Sequence, residues 1–113
     1  MGAGPVVAAR RVRRAWLGVA GTNAPLARRI AHHHGLSNDS GVRIRSIEPD
    51  SPAAAAGIEA GDLIVMYDNE VVTGIDQFQQ LLDERRVGRA CELILLRRTQ
   101  KITIPVVAIE RPA

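Results

Sequence analysis

The sequence predicts a small α+β domain, a partly open β-barrel or sandwich of about five to six strands with two to three helices. The first observation is size and composition: 113 residues, 46% hydrophobic and 24% charged, are ordinary for one globular domain. The second is that strand patterns and helix patterns follow one another along the chain. The third is that no apolar run approaches the roughly 20 residues of a membrane-spanning helix.

The first part of the chain predicts a strand, a helix and a second strand. Residues 14–22 have strand character with a glycine interruption. Residues 25–34 carry apolar side chains at helical spacing, and Gly35 supplies a stop signal. Residues 42–45 alternate apolar side chains with arginines, which is typical of a half-buried strand.

The central segment, residues 51–66, predicts a short helix followed by a buried strand. Ser51 can accept a hydrogen bond at the helix start, and Pro52 suits the first helical position. Four alanines follow, and Gly57 can end the helix in the left-handed conformation. The apolar run 63–66 then indicates a strand of the core.

The last part of the chain predicts a longer helix and a closing hairpin. Thr73 and Asp76 resemble a capping box at the start of a helix over 75–84. Strand patterns at 90–97 and 102–107 are close enough in the chain to form an antiparallel hairpin.

The net charge of +3 comes from the N-terminal arm. Four arginines lie within the first 14 residues, which hold no acid, and the rest of the chain has 11 basic against 12 acidic residues. A neutral body with 3% aromatic residues lacks the stacking platforms and basic surface of a nucleic-acid-binding domain. We therefore predict no nucleic-acid partner, and residues 1–12 are interpreted as a linker or arm.

Three separated features resemble the PDZ domains of the bacterial HtrA/Deg serine proteases. They are the Leu17-Gly18-Val19 segment, the Ser-Pro-Ala-Ala to Gly-Asp run within 51–62, and the hairpin at Asn69 with the helix after it. The resemblance covers about residues 13–107. It implies a PDZ domain at 13–108 with a tail at 109–113, in the bacterial, circularly permuted topology.

By this resemblance, Trp16-Leu17-Gly18-Val19 is a carboxylate-binding loop in which the amides of residues 17–19 converge on the end of a peptide. Arg13 or Arg14 would assist. The strand edge after the loop would accept the peptide as a further strand, with the helix from residue 75 as the opposite wall. The implied peptide-binding residues are Arg14, Trp16, Leu17, Gly18, Val19, Ala20, Gly21, Thr22, Ile75, Phe78, Gln79 and Leu82.

The residues of this implied site predict apolar ligands. A pocket of Leu17, Val19, Phe78 and Leu82 would take Val, Leu, Ile, Ala or Phe at the ligand's end. Ile75 stands where PDZ domains that select Ser or Thr carry His, so an apolar residue is also expected two positions earlier. Phe78 has a second interpretation, as a core residue. Replacing Gly18 by Val is expected to abolish binding and leave a folded domain.

No catalytic or metal chemistry is predicted for this chain. None of its serines lies in the Gly-rich turn of a serine protease, and 113 residues cannot hold a trypsin-like double barrel as well. Adjacent histidines at 32–34 point about 100° apart on a helix, so they cannot share one ion. Cys91 is expected to be a small buried hydrophobe. We predict no cofactor, while the resemblance implies a serine endopeptidase as the parent protein.

Three functional hypotheses follow. The first is a peptide-binding PDZ module of an HtrA-like protease, which captures apolar C-termini or exposed apolar segments in protein quality control. The second is a PDZ domain of another host: a membrane metalloprotease, a C-terminal processing protease or a secretion component. The third is an assembly module whose groove is filled by its own tail, 109–113. The resemblance implies the periplasm or cell envelope, without insertion of this chain into a membrane.

Overall fold

A computed structural model describes residues 14–111, so the predicted linker 1–12 lies outside the described residues. Three short α-helices and eight strands follow one another in this part of the chain. In chain order they are β1 (Ala15–Trp16), β2 (Val19–Pro25), α1 (Arg28–His33), β3 (Ser40–Ile47), α2 (Pro52–Ala56), β4 (Leu63–Tyr67), β5 (Glu70–Val71), α3 (Ile75–Leu81), a 3₁₀ turn (Glu84–Arg86), β6 (Ala90–Arg97), β7 (Gln100–Val107) and β8 (Ile109–Glu110).

The main sheet has six strands in the order β2-β3-β4-β6-β7, with β5 paired to β4, and every pairing is antiparallel. The sheet is open, with β2 and β7 at its edges. The predicted α+β class is therefore confirmed. A separate pair, β1 with β8, was not predicted, and it joins Ile109 to Trp16. The predicted domain boundary at residue 108 stays a prediction.

Apolar side chains cover both faces of the sheet. The larger cluster lies between the sheet, α2 and α3, and includes Leu17, Ile64, Tyr67 and Phe78. A smaller cluster under α1 includes Leu26, Ala31, Val65, Leu63 and Leu96. Strand β4 contributes to both clusters because it lies in the middle of the sheet, which explains its continuous apolar sequence. Cys91 is 3% exposed, as predicted.

Helix α2 forms as its sequence predicts. The Ser51 hydroxyl accepts a hydrogen bond from the Ala54 N–H at 3.1 Å, and Pro52 occupies the first turn. Gly57 ends the helix at φ 85°, a left-handed conformation that suits glycine. Ala53 is fully buried, so the small side chains let this helix pack closely on the core.

The predicted capping box of α3 is wrong. Gly74 is the N-cap residue and offers no side chain, while the Thr73 N–H donates to Gln77 Oε1 at 2.7 Å. The Ile75 N–H instead donates to Asn23 Oδ1 at 2.7 Å, across the domain. The helix also ends at Leu81, earlier than predicted, because a 3₁₀ turn follows. None of the helices within 14–111 is long and apolar enough to cross a membrane.

Candidate functional site

A groove of about 410 Å³ lies between the β1–β2 segment and helix α3. Most of the predicted site residues line it, and the structure adds two that the sequence did not suggest, Ala15 and Arg111. The lining residues are Arg14, Ala15, Trp16, Leu17, Gly18, Val19, Ile75, Phe78, Gln79, Leu82 and Arg111.

The turn at Leu17 and Gly18 forms one end of the groove. Gly18 has φ 85°, which favours glycine. The Leu17 carbonyl accepts from the Ala53 N–H at 2.9 Å, and the Gly18 carbonyl accepts from the Glu48 N–H at 2.8 Å. Outside helices and strands of residues 14–111, neither the Leu17 nor the Gly18 N–H donates a backbone hydrogen bond. The two carbonyl groups of the turn thus bond to the rest of the domain, whereas the Leu17 and Gly18 N–H groups are available to donate to a ligand.

Strand β2 provides one wall and is an edge strand. It pairs with β3 from Val19, opposite Ile47, to Pro25, opposite Ser40, and within residues 14–111 no strand pairs with its other side. The predicted residues Ala20, Gly21 and Thr22 continue along this strand and do not line the cavity itself. The free edge presents backbone N–H and C=O groups to which an extended chain can pair.

Helix α3 provides the opposite wall. Ile75, Gln79 and Leu82 line the groove, as does Phe78, which is 1% exposed. The Phe78 ring packs edge-to-face on Tyr67, with ring centroids 5.7 Å apart. Phe78 is therefore a core residue that also lines the groove, and its contact with a ligand stays a prediction.

Hydrogen bonds join the two walls at both ends of the groove. At one end, the Arg14 guanidinium donates to the Gln79 carbonyl at 2.5 Å, and the Ala15 N–H donates to the Leu82 carbonyl at 3.1 Å. At the other end, Asn23 Oδ1 accepts from the Ile75 N–H. The spacing between the β1–β2 segment and α3 is thus set from both ends.

The charged residues of the groove are both arginines. Arg14 and Arg111 line it, and no acidic residue of the described part of the chain does. The two are neighbours because the Arg111 N–H donates to the Arg14 carbonyl at 2.8 Å. Arg111 lies beyond the predicted domain boundary, and no local pattern indicates that the chain returns to β1. The arrangement provides positive potential beside the turn at Gly18.

The histidine run lies away from this groove. His34 Nε2 is 2.8 Å from the Thr99 carbonyl oxygen, and the rings of His33 and His34 meet edge-to-face. Within residues 14–111, no group of three or more His, Cys, Asp or Glu side chains is arranged to hold a metal ion.

Comparison with known proteins identifies sequence relatives. A family model described as PDZ domain matches residues 43–97. Over 104 residues the chain is 32% identical to the serine endoprotease DegS of Escherichia coli K12, covering 91% of this chain and 28% of DegS. Over 95 residues it is 32% identical to a probable periplasmic serine endoprotease, DegP-like, of Halomonas elongata, covering 84% of this chain and 20% of that protein. The chain spans less than a third of these relatives' length.

Solved structures share the fold. The HtrA-type protease AlgW, solved with a decapeptide, superposes with a TM-score of 0.71 at 27% identity, covering 89% of this chain and 30% of AlgW. A serine endoprotease from Yersinia pestis superposes with a TM-score of 0.71 at 25% identity, covering 96% of this chain and 34% of the endoprotease. The HtrA3 PDZ domain, solved with a phage-derived ligand, gives a TM-score of 0.63 at 15% identity and 88% coverage of both chains.

Proposed function

Because this chain belongs to the PDZ domains and its relatives are HtrA-type serine endoproteases, as its sequence predicts, we propose that it binds the C-terminal segments of other polypeptides. The observation that carries this proposal is the groove between an edge strand and a helix, with the Gly18 turn at its end. AlgW, which shares the fold at 27% identity, has been solved with a decapeptide.

The ligand adds to β2 as a further antiparallel strand. Its terminal carboxylate lies at the turn, where the N–H groups of Leu17, Gly18 and Val19 donate to it. Hydrogen bonds to a charged acceptor contribute roughly 1.5–3 kcal/mol each, more than those between neutral groups. Backbone pairing with the edge strand adds affinity that does not depend on the ligand's sequence.

Selectivity comes from the apolar lining of the groove. Leu17, Val19, Phe78 and Leu82 surround the place of the ligand's last side chain, so Val, Leu, Ile, Ala or Phe fits there. Ile75 lies at the start of α3 and offers no hydrogen-bonding side chain. An apolar residue two positions before the ligand's end therefore gains contact with this wall, whereas a hydroxyl would lose hydrogen bonds to water.

In the parent protein, the domain feeds or regulates a serine protease domain. The curated relatives are serine endoproteases of which this chain matches less than a third, so hydrolysis belongs to another part of such a protein. Capture of apolar C-termini or exposed apolar segments is suited to the recognition of misfolded proteins. Several relatives are described as probable periplasmic endoproteases, and we place the parent protein in the periplasm or cell envelope.

A second candidate is an assembly module whose groove is filled by its own C-terminal segment. One observation favours it: β8 pairs with β1, and Arg111 lines the groove, so residues 109–111 lie beside the site. A PDZ domain of a different host, such as a metalloprotease or a secretion component, would use the same groove and differ only in its neighbouring domains.

The test is an NMR titration of the labelled domain with a peptide ending in a valine carboxylate, beside the same peptide as its C-terminal amide. We expect chemical shift changes at residues 17–22 and 75–82 with the acid and their loss with the amide. A second sample that ends at Arg111 keeps β8 and removes the last two residues. Binding that appears only in this shortened chain would favour self-capture, and no shift in either sample would overturn peptide binding.

A further inference from the structure

We infer that Pro105 closes the β7 edge of the sheet to other chains, so that an added strand is accepted at β2 alone. The open sheet ends in two strands, β2 on one side and β7 on the other. An unpaired edge strand offers a row of backbone N–H and C=O groups to any extended chain, including a second copy of the same protein. The inference rests on the proposed peptide binding in naming the edge that takes a ligand, but its test uses no ligand.

The register of the β6–β7 hairpin places the backbone of Pro105 on the outer side of β7. Only two residues lie between the strands, and Arg97 pairs with Gln100. In a two-residue hairpin the residues that flank the loop exchange both hydrogen bonds, and bonded and non-bonded pairs alternate from there. Along this register Glu92 and Pro105 form a non-bonded pair, so the backbone of Pro105 points away from β6.

A hydrogen bond on the other side of β6 agrees with this assignment. The Glu92 carbonyl accepts from the Asp68 N–H at 2.8 Å. Asp68 follows directly after β4, which is the other neighbour of β6 in the sheet. In an antiparallel strand the N–H and C=O of one residue point to the same side, so the backbone of Glu92 faces β4. Its partner Pro105 therefore faces the unpaired side of β7.

Pro105 removes an N–H group that an added strand would need. By the same alternation, the other residues of β7 whose backbone points outwards are Lys101, Thr103 and Val107. Within residues 14–111, these three take part in none of the backbone hydrogen bonds outside helices and strands. A strand added here would lose a hydrogen bond between Thr103 and Val107, where the proline ring stands.

The rest of β7 favours pairing, so the proline has a consequence. The strand is eight residues long and five of them are β-branched, and Val107 is 45% exposed. The exposed Lys101 adds a charge, which also opposes the approach of another strand. By contrast, β2 has no charged residue, and its proline is its last residue, Pro25. The two edges thus differ: β2 is open along its length and β7 is interrupted.

Sedimentation velocity on the whole chain tests the inference. We expect the unchanged protein to stay monomeric over about a hundredfold range of concentration, and Pro105→Thr to form dimers as the concentration rises. Threonine is more polar than proline, so these dimers cannot result from added apolar surface. The matched control is Pro49→Thr, which makes the same replacement at an exposed proline outside the strands and should stay monomeric. Lys101→Thr removes the charge and keeps the proline, so it should stay monomeric as well.

Hydrogen exchange measured by NMR locates the contact between the two copies. In the unchanged protein the outward N–H groups of Lys101 and Thr103 should exchange rapidly, whereas that of Ile102, which bonds to β6, should be protected. In Pro105→Thr at high concentration, the N–H groups of Lys101 and Thr103 should exchange at least tenfold more slowly. Pro105→Ala restores the same N–H and should also dimerise, which keeps the test valid if Pro105→Thr folds poorly.

Three results would overturn the inference. They are monomers of both Pro105 variants at every concentration, dimers without slower exchange at Lys101 and Thr103, and slow exchange of these two groups in the monomeric unchanged protein. None of these measurements involves a peptide. Failure of peptide binding in the titration and failure of the inference about β7 are therefore separate results.

Discussion

The backbone of Gly18 lies against the side chain of Ser51. A Cβ atom on Gly18 would come within 2.3 Å of Ser51 Cβ and 2.7 Å of its Oγ. Ser51 has little freedom to move, since its hydroxyl donates to the Glu48 carbonyl at 2.7 Å and accepts from the Ala54 N–H. The turn of the proposed peptide site is therefore packed directly on the cap of α2.

This contact predicts that Gly18→Ala destabilises the domain by about 3 kcal/mol, through the positive φ and the overpacking against Ser51 together. Urea unfolding followed by the fluorescence of Trp16, the chain's single tryptophan, measures the change. The structure also corrects the expectation that Gly18→Val leaves a normally folded domain, because the added side chain would enter space held by Ser51.

Gly35→Ala is the matched control for the Gly18 variant. Gly35 also has a positive φ, 68°, but no atom of the described residues lies within 4 Å of the place of a Cβ atom. We expect a loss of about 1 kcal/mol from the backbone conformation. Equal losses in the two variants would show that contact with Ser51 adds nothing to the cost at Gly18.

Features that depend on neighbouring residues were predictable from the sequence. The cap at Ser51, the end of α2 at Gly57 and the buried strand β4 each follow from a run of adjacent residues whose types suit one local conformation. The positions of the groove residues followed from the resemblance to a known family. Those residues lie together in the structure because β2 and α3 pack on the same core.

Features that join distant residues were not predictable. The cap of α3 comes from Asn23, and a capping pattern at Thr73 and Asp76 suggested a local solution that the structure does not use. The pairing of β8 with β1, which brings Arg111 to the groove, has no signature in either segment. A short polar or charged residue fits many environments, so its partner is decided by the tertiary fold.

The hydrogen bonds of Asn38 to distant backbone groups should contribute to the stability of the domain. Its amide donates to the Val65 carbonyl at 3.0 Å and to the Val72 carbonyl at 2.8 Å, and the residue is 5% exposed. Asn38→Ala leaves the buried Val72 carbonyl without this donor, and we expect a loss of about 2 kcal/mol in urea unfolding. The Ser40 hydroxyl donates to the Thr73 carbonyl near the surface. Ser40→Ala should therefore lower the free energy of unfolding clearly less, because water can replace the hydroxyl. Similar losses would contradict this account.

Breaking the ion pair between Arg97 and Asp62 should lower the stability of the domain by a larger amount. The Asp62 side chain is 2% exposed and accepts from Arg97 Nε at 2.9 Å and from Arg97 Nη2 at 2.8 Å. Arg97→Met leaves the buried carboxylate with the Glu59 N–H but without its counter-charge, so we expect a loss of about 3 kcal/mol. The control is Arg85→Met, because Arg85 is 76% exposed in its pair with Asp83, and no measurable loss is expected there. A small loss in Arg97→Met would mean that water replaces the guanidinium.

Arg111 predicts salt-dependent affinity. It lines the groove as an exposed cation, so Arg111→Gln should weaken binding of a peptide carboxylate about two- to fivefold at low salt. The difference should shrink at about 0.5 M salt, where charges are screened within a few ångströms. Arg98→Gln, at the exposed turn between β6 and β7, should leave affinity unchanged. Equal effects of the two variants would point to overall charge as the cause.

The side chain of Leu82 should limit the size of the ligand's last side chain. It lines the groove at the C-terminal end of α3 and packs partly on the core. Leu82→Ala enlarges the pocket, so a peptide ending in Phe should gain roughly three- to tenfold over one ending in Val, relative to the unchanged protein. Leu36→Ala removes a partly buried leucine from the cluster on the other sheet face, and it should leave this ratio unchanged while lowering stability. If Leu82→Ala lowers both affinities equally, Leu82 acts through the stability of α3, and the last side chain of the ligand lies elsewhere.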